Sequence, residues 1–219
     1  MTDYAQVYSD LRGRVIGLVG DLDDTGLHTV APATPEWRVR DIVAHLSGIT
    51  ADILAGNLDG VATDGWTGKQ VGDRRDWPFD DVLAEWEEKG KAVEALMPDF
   101  PEVVVGQMIT DAATHEHDVR GALGAPGARE SEAADIGFRW GAAALDSSEP
   151  LRLETEVGPV SVGDGEPVAT VRASRFELVR SMTGRRSLDQ MRAYGWDSEP
   201  RPERLALGIF TPRPTPLVE

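Results

Sequence analysis

Apolar residues recur at helical spacing along five stretches of this chain, and after Pro150 the spacing changes to alternation. Tyr4, Val7, Leu11, Val15, Leu18, Val19 and Leu22 mark a first amphipathic helix, Tyr4 to Leu22. A second begins near Arg38, with Val39, Ile42, Val43, Leu46, Ile49, Ile53 and Leu54 on one side. Phe79 to Met97 is a third, entered after Pro78, capped by Asp80 or Asp81 and stopped by Pro98. Pro101 opens a fourth, which Gly124 closes; Glu102 sits at its positive end. Glu130 to Ser147 is a fifth. Beyond Pro150, Leu151, Leu153, Thr155 and Val157 alternate, and Gly158-Pro159 and Gly163-Asp164-Gly165 supply turns. The pattern predicts an α+β chain: a helical bundle over residues 1–148, then a small domain over 149–219 with an antiparallel sheet. Two short helices, Arg175 to Thr183 and Ser187 to Tyr194, follow the strands, and a proline-rich tail lies extended over the surface.

Two connections lie between the helices. DDTGLHTVAPATPEW is loop chemistry, and His28 within it reads as a surface residue. Gly56 to Pro78 is a glycine- and aspartate-rich connection long enough to be functional, with Trp66 and Trp77 either covering a cleft or anchoring a surface loop.

Composition removes several function classes. The formal net charge of −16 opposes binding to nucleic acid or to an anionic membrane. There is no cysteine, so disulfides, thiolate metal sites and a nucleophilic thiol of the chain's own are excluded. No run approaches the ~18 apolar residues of a membrane span, and the amino terminus lacks a signal-type apolar core; the expected location is cytoplasmic.

The chemistry concentrates in ITDAATHEHDVRGALG, Ile109 to Gly124. Asp111 and His115 are four residues apart, so on a helix they share one face, the spacing by which HExxH helices offer two ligands to one ion. An aspartate among core positions is costly unless paired or bound to metal. A catalytic ion wants three protein ligands and an open position. His45, beside the apolar stripe of the second helix, is the third candidate; a structural histidine bonded to a backbone carbonyl is the alternative. His117 points elsewhere and reads as surface, and Asp118 and Arg120 read as helix-end salt-bridge partners. Residues 172–192 carry six arginines against two acids. That run is either an anionic-substrate patch, with Arg185 and Arg186 foremost, or a basic segment docking on the acidic helical half.

TPEWRVRDIVAHL (Thr34 to Leu46) and THEHDVRGALG (Thr114 to Gly124) resemble the second-helix and last-helix signatures of the mycothiol-dependent maleylpyruvate isomerase N-terminal family, related to the DinB-like metal-binding four-helix bundles. ASRFELVRSMTGRRSLDQMRAYGW (Ala173 to Trp196) is similar to the C-terminal region of many family members. The resemblance implies a DinB-like bundle holding one divalent metal on His45, Asp111 and His115. Zinc is the family's usual ion; with Asp111 where the best-known isomerase has glutamate, nickel or another divalent ion stays open. It also implies mycothiol as cosubstrate, activated as its thiolate, which suits a chain without cysteine. The expected function is thus a metal-dependent, thiol-using isomerase or S-transferase. Its partners would be a small-molecule thiol and an anionic substrate, with no nucleic acid and no membrane, in a monomer or homodimer. A hydrolase using metal-bound water on the same bundle, and a non-catalytic metal-binding or regulatory protein, are the alternatives.

Overall fold

A computed structural model describes residues 2–219. Among the described residues seven α-helices precede the sheet: α1 (Tyr4–Val19), α2 (Asp24–Leu27), α3 (Val39–Ala55), α4 (Asp64–Arg74), α5 (Phe79–Leu96), α6 (Glu102–Leu123) and α7 (Glu132–Ala144). Then come β1 (Leu151–Thr155), β2 (Gly158–Val162), β3 (Ala169–Arg172), α8 (Arg175–Met182), α9 (Leu188–Arg192) and β4 (Gly195–Trp196). The chain forms two compact units, one of residues up to Val105 with His115–Gly127, the other of Gly106–Thr114 with Ala128–Glu219. The unbroken helix α6 contributes to both.

In the first unit the expected stripes form the core. Val7, Leu11 and Val15 of α1, Ile42, Val43 and Leu46 of α3, and Val82, Trp86 and Val93 of α5 are all buried. Each such side chain contributes about 1.5–3 kcal/mol on leaving water. Trp86 satisfies its indole N–H by donating to the Tyr8 hydroxyl, 3.3 Å away. α6 starts after Pro101 and ends at Gly124 in the left-handed region, φ 60°, as its sequence implies. α1 stops at Val19, three residues short of the apolar stripe.

Two helices appear where the sequence reads as connection. α2 is a single turn capped by the Asp23 side chain. α4 occupies the middle of the long Gly56–Pro78 segment, with Thr63 as its N-cap. Its inner face is Gln70, Val71 and Arg74, so polar contacts rather than an apolar stripe hold it.

The second unit carries a four-stranded sheet of order β2-β1-β3-β4. The β1–β2 and β3–β4 pairs are antiparallel, as the alternation and turns imply, but β1 and β3 run parallel, so the sheet is mixed. The first turn lies at Glu156–Val157, ahead of the predicted Gly158-Pro159, because Thr155 pairs with Gly158 and Pro159 enters β2 opposite Glu154. An edge strand tolerates proline, whose missing N–H costs no ladder bond there. Phe138, Leu151, Leu153, Val171, Leu178 and Met182 form this unit's core. The tail departs from a purely surface course: Leu205, Leu207 and Leu217 are buried. Among the described residues no helix is long and apolar enough to cross a membrane.

Candidate metal centre

His45 projects from the middle of α3, and Asp111 and His115 stand one turn apart on α6. One ligand atom from each lies within 4.8 Å of the other two, and among the described residues this is the one grouping of three such side chains. The two imidazoles meet edge to face, centroids 5.1 Å apart. Both are buried, at 3% and 6% exposure, whereas Asp111 is half-buried. Two imidazoles and one carboxylate are the donor set of an open divalent site, with room in the coordination shell for a further ligand. The residues present therefore fit the ion that the resemblance implies.

Each histidine has a partner on its inner nitrogen. His115 Nδ1 lies 3.0 Å from Asp118 Oδ2, and Asp118 is fully buried. An ionised carboxylate only accepts, so Nδ1 carries the proton and Nε2 is left as the nitrogen that could ligate an ion. His45 Nδ1 lies 2.7 Å from Gln70 Oε1, an amide on α4 rather than a backbone carbonyl. Gln70 Nε2 in turn donates to Asp52 Oδ2 at 2.7 Å. Trp37 lies against both rings, 5.1 Å from that of His45 and 5.5 Å from that of His115. A cleft of about 610 Å³ opens beside Trp37, lined also by His28, Arg38, Arg40, Val71 and Arg75.

α4 is fastened by ion pairs as well as by Gln70. Arg74 donates to Glu85 of α5 at 2.5 Å, and Ser47 of α3 donates to the same oxygen at 2.6 Å. Burial opposes the Glu85 charge, but the hydrogen bonds from Arg74, Ser47 and Lys89 outweigh it and hold the carboxyl below its ordinary pKa.

Around His115 the sequence expectations need two corrections. Residues 112–119 are all buried, so His117, at 7% exposure, is not a surface residue. Asp118 does not pair with Arg120: Arg120 turns to Glu116, which also takes two bonds from Arg14 at 2.9 and 2.7 Å. A two-charge sequence motif cannot show which of several acids an arginine reaches. Gln70, Asp52 and Trp37 were missed as well; an amide and an acid 18 residues apart carry no spacing signal.

The arginine run pairs inside its own unit. Arg175 bonds Asp135 and Glu156, Arg180 bonds Glu219, and Arg186 bonds Glu177 and Glu219. Arg185 is buried and donates to the Thr183 carbonyl at 2.6 Å. Arg172 and Arg192 pair with Glu154 and Asp189.

The architecture has solved counterparts. Crystal structures of the mycothiol-dependent maleylpyruvate isomerase, and of a histidine-to-alanine mutant of it, superpose with TM-scores of 0.62 and 0.61. Each is 12% identical, with 92% of this chain and 97% of the other aligned, a likeness of fold. No curated protein sequence matches the chain. The family model described as the mycothiol maleylpyruvate isomerase N-terminal domain matches residues 8–120, just over half of the 219 residues, and spans α3 together with the Asp111–His115 turn. By that match, this chain belongs to the mycothiol maleylpyruvate isomerase N-terminal domain family.

Proposed function

We propose that the chain is a metal-dependent enzyme that uses mycothiol as a small-molecule cosubstrate, an isomerase or an S-transferase. The observation that carries this reading is the convergence of His45, Asp111 and His115 within 4.8 Å, on helices that the family model covers. A divalent ion held by these three, zinc or nickel, would supply the positive charge that favours the thiolate form of a thiol.

The chain's own groups do the rest. His45 and His115 present Nε2, because Gln70 and Asp118 occupy Nδ1. Asp111 would add one negative charge to the donor set, so a divalent ion held there would keep a net positive charge. Trp37 walls the two rings on one side. With no cysteine in the sequence, the sulfur nucleophile must arrive with the cosubstrate. A thiolate that adds to an activated double bond, allows rotation about it and is expelled again returns unchanged, which is isomerisation. One that stays bonded to carbon, while the neighbouring carbon takes up a proton, gives the S-conjugate that a transferase makes. The isomerase of the solved structures acts on maleylpyruvate. Arg185 and Arg186 take no substrate role in this reading, since Arg186 already bonds Glu177 and Glu219.

Metal content of the purified protein and of His115→Ala tests the reading. About one divalent ion per chain, lost in the variant, together with turnover that requires added mycothiol, is the expected result. Full metal content in His115→Ala removes the site, and turnover without thiol replaces the reading with a hydrolase.

A further inference from the structure

The two histidines reach the same state by different routes. His115 takes its inner partner from its own helix, Asp118, three residues on. The corresponding position on α3, three residues after His45, is Gly48, which has no side chain to offer. A β-carbon at Gly48 would lie 2.5 Å from Gln70 Cβ and 2.7 Å from Gln70 Cγ. The side chain missing from α3 is thus replaced, in the same place, by Gln70 from α4.

An amide is ambiguous where a carboxylate is not. Turned one way it accepts from an imidazole N–H; flipped, it donates to a bare nitrogen and selects the opposite tautomer. Asp52 removes the ambiguity. Its carboxylate only accepts, so the Gln70 NH2 faces Asp52 at 2.7 Å and the carbonyl faces His45 Nδ1 at 2.7 Å. Nδ1 then carries the proton. The order of command is Asp52, Gln70, His45, and each link is set by the donor and acceptor inventory alone.

We propose that Gln70, oriented by Asp52, is a positioning residue that fixes His45 in its Nδ1–H tautomer, with Nε2 as the ligating nitrogen. Delivering it is the function of α4. The consequence for metal affinity rests on the reading above; the tautomer itself does not.

Long-range proton–nitrogen spectra of ¹⁵N-labelled protein, metal-free and at mildly alkaline pH, report the tautomer of each of the four histidines. The His45 signals are identified by their loss in His45→Gln. Wild type should show His45 protonated at Nδ1. Gln70→Met keeps the length and removes the acceptor; His45 should lose its preference, and zinc affinity in chelator competition should fall about 10–100-fold. Gln70→Glu combined with Asp52→Asn places a carboxylate acceptor against His45 Nδ1 and an amide donor behind it, and should restore both. Asp52→Asn frees the amide to flip and should leave a mixture of tautomers. An unchanged Nδ1–H signal in Gln70→Met overturns the proposal. So does an equal loss of affinity in Gln70→Met and in the double variant, which would mean packing alone. If wild type binds no zinc, the metal reading fails, and the His45 spectrum still decides the role of Gln70.

Discussion

Asp118 shows how much one residue's meaning depends on its rotamer. In the sequence it stands two places before Arg120 and reads as half of a helix-end salt bridge. In the structure it is fully buried against His115 Nδ1, and Arg120 belongs to Glu116. Asp118→Asn should therefore behave as a metal-site substitution: zinc affinity lower by about 10–100-fold in chelator competition. An unaltered affinity would return Asp118 to a purely structural role. That His45, Asp111 and His115 come together was expected from the four-residue spacing on α6 and, for His45, from the family resemblance. The inner partner of His45 was not, since Gln70 belongs to a helix, α4, that the sequence hides.

That helix, α4, is hidden for energetic reasons. Three glycines in its 11 residues, Gly65, Gly68 and Gly72, each cost about 1 kcal/mol relative to alanine. Its buried face offers one apolar residue, Val71, between Gln70 and Arg74. No hydrophobic period exists to be read, and tertiary contacts must supply what propensity withholds. The Arg74–Glu85 pair is one of them. The folded pKa of Glu85 is lowered, so its contribution is complete above the unfolded value, about 4.3, and is lost as pH falls through the folded value. Glu85→Gln should thus be less stable than wild type at neutral pH, and the gap should close as pH falls from the unfolded value through the lowered folded one. Denaturant melts across that range give the answer; a gap that persists in acid would assign the loss to packing. The apolar helices α1, α3 and α5 present no such difficulty, because each carries a stripe that could only be buried.

At the scale of the molecule, the change of pattern at Pro150 was legible, since a period of two and a period of 3.6 cannot be confused over such lengths. The parallel β1–β3 pair was not, because register and direction depend on the path of residues 163–168 rather than on alternation. α6 belongs to both compact units and bears two of the three candidate ligands, so loss of an ion there should be felt in global stability. Free zinc at 100 times its dissociation constant contributes about 2.7 kcal/mol. Stripping it with chelator should lower Tm by about 5–10 °C. Identical melts with and without chelator would place the stabilising contacts elsewhere. Trp37, lying against both imidazoles, gives the same centre an optical voice. A closed-shell ion should shift the indole emission, whereas an open-shell ion at that distance should quench it. The part of the emission that Trp37 contributes among the six tryptophans would then tell zinc from nickel without any label, and Trp37→Phe should lose that metal-dependent part.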